Sequence, residues 1–356
     1  MNQDAQTNLL YQQEQLPIFQ NRMYDSEAEA KACPKGDVKL VEDQQTGLVY
    51  NAAFRPELMT YDTHYQNEQA LSPLFQKHLQ CVSRIVKRCI GRDSIIEVGC
   101  GKAFFLEMLV AKGCDVTGFD PTYEGNNPKV MRHCFESGVG AKANGLVLRH
   151  VLEHIYDPYN FLLKLKEANA GGGKIYIEVP CFDWICEHRA WFDIFYEHVN
   201  YFRVSDFYRI FGTVNESGRL FGGQYLYVVA ELATLRRPEM SLKDSITFPK
   251  DFYTAPLYFD ATHIAPCQAA IWGGASKGVI FALLKARANQ PISIVIDINP
   301  AKQGKYLPAT GLLVQRPEAW ELLPKGSTIY VMNSNYLEEI KEMSHNTFNY
   351  IAVDHE

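Results

Sequence analysis

Long apolar runs are missing from this chain of 356 residues: no stretch approaches the roughly 20 positions that a membrane-spanning helix needs. Runs of Lys and Arg are missing too, and a formal net charge of −6 argues against a nucleic-acid backbone as partner. The polar start Met1-Asn2-Gln3-Asp4-Ala5-Gln6 has none of the apolar core of a secretory signal. The nine cysteines (Cys33, Cys81, Cys89, Cys100, Cys114, Cys134, Cys181, Cys186 and Cys267) contain no C-x-x-C pair. An odd, scattered set suits reduced thiols better than a disulfide framework. Cys181, Cys186 and His188 come nearest to a metal cluster, and they read as a buried thiol with loop neighbours. Residues 1–60 hold no cysteine pair to close a four-ligand zinc site, so no metal is expected. These absences describe a soluble cytoplasmic protein with no membrane or nucleic-acid partner, its oligomeric state open.

What remains is ordinary globular material, 47% hydrophobic and 21% charged, in a length that suits two domains plus an appendage. The chain is organised around residues 94–121. Ile95, Ile96 and Val98 form a β-branched run expected as a buried parallel strand. Gly99 and Gly101 break that run, and a helix with Phe105, Leu106, Leu109 and Val110 on its apolar positions follows. Residues 116–119 predict a second strand, which ends on Asp120. Strand, glycine turn, helix, strand, acid is the first half of a nucleotide-binding α/β unit. The glycines admit a ligand close to the backbone, and the acid can hold ribose hydroxyls.

A third glycine is lacking as well. The dinucleotide pattern G-x-G-x-x-G places one where this chain has Phe104, so a pyrophosphate site and an NAD-dependent enzyme are disfavoured. Glu97 precedes the first glycine, and Glu97-Val98-Gly99-Cys100-Gly101 resembles motif I of S-adenosylmethionine-dependent class I methyltransferases. That ligand carries a sulfonium and an ammonium but no phosphate, which suits acids. Glu97, Gly99, Gly101 and Asp120 are therefore the expected cofactor-binding residues.

Residues 1–30 are rich in Gln, Asn and Glu and are expected to be partly disordered. Short strand-like pieces follow at 38–41 and 48–50. The stretch 61–69, with Tyr61, His64 and Tyr65, reads either as a substrate lid or as an ordinary surface loop. Residues 72–91 predict an amphipathic helix, and 130–135 a third strand. The strand at 145–148 runs into Arg149-His150-Val151-Leu152-Glu153-His154-Ile155, where an α/β sheet presents side chains to its ligand, and His150 is expected to face the cofactor. Glu153 and His154 read as a helix face with structural hydrogen bonds. A strand at 174–179 precedes the aromatic segment 191–202, with Glu197 beside His198; the last strands of this domain fall within 221–229 and a linker within 235–249. A second α/β pattern follows: strand and glycine turn at 269–278, a helix to 284, and strands at 292–298, 329–332 and 350–353. The expected division is an N-terminal appendage over 1–70, a methyltransferase domain over 71–234, and a Rossmann-like C-terminal domain over 250–356.

With these pieces placed, residues 33–353 resemble a three-part family of sugar methyltransferases that act on nucleotide-linked deoxysugars. The likeness rests on Arg149 to Ile155, on Glu197-His198-x-x-Tyr201-Phe202, and on Asn299-Pro300-Ala301-Lys302-Gln303-Gly304 with Tyr306-Leu307-Pro308. It implies an N-terminal zinc-binding piece, a central S-adenosylmethionine domain and a C-terminal Rossmann-like domain. In C-methylating members the Glu-His pair is implicated in catalysis, which carries over to Glu197 and to His198 as base. Two departures stand out: the N-terminal zinc cysteines are absent but for Cys33, and Phe195-Tyr196 stands where the family reads Tyr-His.

The expected reaction is methyl transfer to a nucleotide-linked sugar, at carbon beside a ketone, with sugar O-methylation and a non-catalytic scaffold as alternatives. His198 with pKa near 6.5 suits a base, oriented by a carboxylate such as Glu197, with Tyr196, His150 and His64 as substitutes. Adjacent strand residues point apart, which counts against direct pairing of Glu197 and His198. Tyr201, Gly274 and Lys277 complete the expected substrate contacts, the last two in a glycine turn suited to a nucleotide diphosphate.

Overall fold

The computed structural model describes residues 7–59, 72–252 and 269–354. Tyr61, His64, Tyr65 and Cys267 lie outside the described residues.

The N-terminal part contains β1 (Thr7–Pro17), α1 (Glu27–Lys31), β2 (Lys35–Asp43) and β3 (Val49–Asn51). Contrary to the expected disordered start, β1 pairs antiparallel with β2 and buries Tyr11 and Leu16. Its Gln-rich positions face solvent, and two register shifts interrupt the alternation that would have marked a strand in the sequence.

The central part runs through α2 (Pro73–Cys89), β4 (Ile95–Val98), α3 (Phe104–Ala111), β5 (Val116–Phe119), β6 (Val130–Met131) and β7 (Gly145–Arg149). It continues with α4 (Pro158–Ala168), β8 (Lys174–Pro180), α5 (Phe182–Glu187), β9 (Asn200–Tyr201), α6 (Val204–Ile210), β10 (Val214–Leu220) and β11 (Tyr225–Glu231). Seven strands form one sheet in the order β10-β11-β8-β7-β4-β5-β6, parallel except for β11, which runs against both its neighbours. This is the Rossmann-like class I methyltransferase fold. The Ser72 hydroxyl caps α2 by accepting the N–H groups of Leu74 and Phe75, and Leu79, Val82 and Val86 turn into the core. The small strand β9 leaves this sheet and completes the N-terminal one beside β3.

The C-terminal part has β12 (Ala269–Trp272), α7 (Ser276–Arg287), β13 (Ile294–Ile296), β14 (Val314–Gln315), β15 (Thr328–Val331), α8 (Leu337–Met343) and β16 (Asn349–Ala352). Its five strands are all parallel, in the order β14-β13-β12-β15-β16. The parts share an apolar core, with Trp191 of the central part stacked on Phe281 of α7 at 5.5 Å. The Gln224 amide nitrogen donates to Asn333 and Asp354, at 2.9 Å each, across the junction. No helix among the described residues is long and apolar enough to cross a membrane.

Candidate functional site

The turn after β4 has the geometry a cofactor cradle needs. Gly99 and Gly101 both have positive φ, +71° and +52°, and a Cβ on Gly99 would stand 2.5 Å from Val151. Asp120, just past β5, accepts the Gly101 N–H at 2.8 Å with one oxygen, and the Thr122 N–H and hydroxyl with the other. A carboxylate offers about four acceptor positions, so one remains for a ribose hydroxyl. Glu97 is buried at the end of β4 with one oxygen lacking a hydrogen-bond partner. Burial, helped by the Asp120 charge and opposed by Arg149, pushes its carboxyl up to about 8. An acid in that state gains from a cation beside it, and these residues fit S-adenosylmethionine.

Between the central and C-terminal parts lies a cleft of about 250 Å³. Its central wall carries His150, Glu153, His154, Pro180, Asp193, Phe195, Glu197, His198 and Tyr225. Behind that wall sits Glu178 of β8, fully buried, a residue that sequence reasoning missed although a lone acid in an apolar strand was the signal. It accepts from His78 at 3.1 Å, Arg149 at 3.0 Å, His150 at 3.1 Å and the Tyr176 hydroxyl at 2.6 Å. Burial alone would raise it, but Arg149, His150 and His78 hold it well below the ordinary carboxylate range. The His150 ring, expected to face the cofactor, instead spans Glu178 and Glu153, its Nδ1 3.4 Å from Glu153 Oε1. Burial would lower its pKa; the two carboxylates outweigh that and raise it to about 9.

Three hydrogen bonds knit the turn at Leu152–His154 to the segment around His198. The Val199 N–H donates to the Glu153 carbonyl at 2.8 Å, the Asn200 amide to the Ile155 carbonyl at 2.6 Å, and His154 Nδ1 to the Glu197 carbonyl at 2.9 Å. Glu153 and His154 therefore lie on a 3-10 turn at the cleft wall, and not on the expected helix face. Glu197 accepts the Gln20 N–H at 3.0 Å from the N-terminal part, and His198 Nδ1 is buried without a hydrogen-bond partner. The expected carboxylate at that nitrogen is thus absent. Burial, then the proximity of His154, His150 and Lys277, keeps His198 well below 6.5, so its imidazole is neutral.

Tyr196 is placed away from the cleft. Its hydroxyl accepts the Arg55 N–H at 2.9 Å, and its ring covers Gly36, where a Cβ would overlap it. Phe195 takes the position on the cleft. Tyr201 likewise serves its own loop, with its hydroxyl bonded to both main-chain groups of Phe195. Neither phenol can touch a ligand in the cleft from there.

The opposite wall is the strand-end crevice of the C-terminal sheet: Trp272 and Gly273 at the end of β12, Val331 to Asn333 at the end of β15, and the start of α7. The Gly274 N–H donates to Asp297 at 2.8 Å. Lys277, expected to meet a diphosphate, binds Asp193 at 3.1 Å and Gln224 at 3.0 Å over the ring of Trp184, and so ties the two parts together. The groups better placed for an anion are Lys302, 3.6 Å from Asp297, and the buried Asn299 amide nitrogen, which has no partner. Both belong to the Asn299-Pro300-Ala301-Lys302 motif, whose chemistry sequence reasoning left unassigned.

Residues 64–215 match the family model described as a methyltransferase domain. That match falls on the central part of the chain and takes in the turn after β4 and Asp120. Solved structures similar to this chain include N-methyltransferase NodS from Bradyrhizobium japonicum, at 15% identity and TM-score 0.33, covering 47% of this chain and 98% of that one. A putative S-adenosylmethionine-dependent methyltransferase from Listeria monocytogenes has 11% identity and TM-score 0.35, with 45% and 99% covered. The 1,6-didemethyltoxoflavin-N1-methyltransferase of Burkholderia thailandensis, with bound 1,6-didemethyltoxoflavin and S-adenosylhomocysteine, has 12% identity and TM-score 0.34, with 52% and 95% covered. No curated protein matches the sequence. Around Cys33 no trio of metal-ligating side chains gathers among the described residues.

Proposed function

We propose that the chain methylates a nucleotide-linked sugar held in the cleft, at carbon beside a ketone, with His198 as proton acceptor. One observation carries this reading: a single cleft has acid–base groups on the methyltransferase wall and anion-binding groups on the other. Ala275 precedes α7 and offers its first N–H groups no side-chain cap. Those N–H groups, with Lys302 and the Asn299 amide, suit a diphosphate. Glu97, Gly99, Gly101 and Asp120 hold the cofactor, which when bound supplies an electrophilic methyl group. His198 is in the neutral form that accepts a proton, and negative charge brought by a diphosphate raises its basicity toward neutral pH. A hydroxyl acceptor is favoured by one finding, the withdrawal of Tyr196 from the cleft, because an enolate then loses that phenol as a stabiliser.

The test is a panel of nucleotide sugars and their free sugars with methyl-labelled S-adenosylmethionine, followed by NMR of the product. Label on carbon next to a carbonyl is expected, only with nucleotide-linked substrates. Equal transfer to free sugars overturns the reading. His198→Ala should slow single-turnover transfer by about 10²–10⁴ with cofactor affinity intact; a wild-type rate would make His198 structural.

A further inference from the structure

The carboxylate of Glu153 and one nitrogen each of His154 and His198 lie within 4.8 Å of one another on the methyltransferase wall, the one such trio among the described residues. Glu153 is 1% exposed, yet neither of its oxygens has a hydrogen-bond donor, and its ion-pair neighbour His150 stands at 3.4 Å. Burying a carboxylate whose charge partner, His150, stands at 3.4 Å without a hydrogen bond is costly, and a coordinated cation would add to that ion pair. His154 spends Nδ1 on the Glu197 carbonyl, which leaves the lone pair on Nε2. Metal-ligating histidines are tied through their second nitrogen in this way. His198 Nδ1 is buried and has no hydrogen-bond partner among the described residues, which leaves that nitrogen to a ligand bond.

We propose that Glu153, His154 and His198 bind a divalent transition-metal ion of the Zn²⁺ type, its remaining coordination positions open to the cleft. Two imidazoles and one carboxylate form a donor set of catalytic zinc sites that keep a position free, and imidazoles disfavour Mg²⁺ and Ca²⁺. Metal–ligand bonds near 2.0–2.1 Å need donor atoms about 3.3 Å apart, so the donors, now within 4.8 Å, draw together when the ion binds. The site stands on this donor set and does not depend on the sugar reading. With the ion bound, His198 is a ligand and no longer a free base, so it serves as proton acceptor in the ion-free chain, whereas the bound ion would offer a Lewis acid to an acceptor oxygen.

The full chain, stripped with a chelator, should be titrated with Zn²⁺ by calorimetry and with Co²⁺ by visible absorption. One ion per chain is expected, with a four- or five-coordinate cobalt spectrum that Zn²⁺ abolishes. Glu153→Gln and His154→Ala should each weaken binding by about 100-fold or more, since even outer-shell changes cost 10–100-fold. Thermal melts show which variants fold, and His198→Ala substitutes for either that does not. No stoichiometric binding by the wild type, or binding untouched by the variants, overturns the site. Because the readout is ion binding, a wrong sugar assignment leaves this result unchanged, and failure here leaves the transfer assay standing.

Discussion

The two glycine turns of this chain share one device and differ in what surrounds it. After β4 the Gly101 N–H donates to Asp120, the acid that follows β5; after β12 the Gly274 N–H donates to Asp297, the acid that follows β13. Each acid anchors its turn at 2.8 Å. The differences are chemical. Two residues before the first glycine the central turn has buried Glu97, where the C-terminal turn has apolar Ile271. Beside its acid the central turn has Thr122, whereas the C-terminal turn has Lys302 and Asn299. One backbone solution thus stands beside two acids in one half and beside donors in the other, so the two turns differ in the side chains around them.

The helices that follow also differ, and the largest effect expected of a single change at fixed pH lies there. Gly278 sits so close to β12 that a Cβ would overlap the carbonyl oxygen of Gly273, a backbone atom that no rotamer change can move. The corresponding contact in the central part is loose, because Phe104 opens α3 with its ring 37% exposed. Gly278→Ala should therefore cost about 3 kcal/mol in denaturant unfolding, at the upper end for overpacking. Gly101→Ala, whose Cβ would meet nothing within 4 Å, should cost only the left-handed backbone penalty of about 1–2 kcal/mol. Equal losses would mean that the two turns are packed alike.

Next in size is the split between the two acids. Asp120→Ala should weaken S-adenosylhomocysteine binding by about 1.5–3 kcal/mol, the worth of a charge-assisted hydrogen bond. Asp297→Ala releases its own turn in the same way and should leave that affinity unchanged. Calorimetry on both variants decides the matter: an Asp120 variant that binds normally would remove the cofactor from this turn.

Much of this comparison is legible in the sequence, and the reason is locality. β4, α3 and β5 fall within residues 95–119 as expected, because β-branched runs and glycine breaks act within a few positions. The start of α7 and the strand β12 follow from the same signals. The cleft was far less legible. Glu153 and His198 are distant in the chain and meet through the Val199 N–H and the Glu153 carbonyl, a pairing no periodicity encodes. Tyr196 and His198 are near neighbours with opposite fates, one under Gly36 and one on the cleft, and that depends on how β9 joins the N-terminal sheet. Lys277 resembles an anion ligand until Asp193 and Gln224 are seen to hold it.

The last prediction sharpens the contrast between Glu97 and Ile271, and it appears in the pH dependence of stability. Burial holds the Glu97 carboxyl near 8 in the folded chain, against an unfolded value near 4.5. The folded state keeps a proton that the unfolded state gives up, so this residue's contribution is full below about 4.5 and declines as pH rises toward 8. The decline can be no steeper than one proton allows, about 1.4 kcal/mol per pH unit. Glu178 works in the opposite sense: its carboxyl is held well below 4.5, and its contribution is lost as pH falls. Comparing wild type with Glu97→Gln cancels Glu178 and every other shared group. Denaturant melts from pH 5 to 8 should show the variant gaining on the wild type as pH rises, with the gain levelling off above 8. Parallel profiles would mean that Glu97 is already ionised in the folded chain, and the central turn would then carry two charged carboxylates, Glu97 and Asp120.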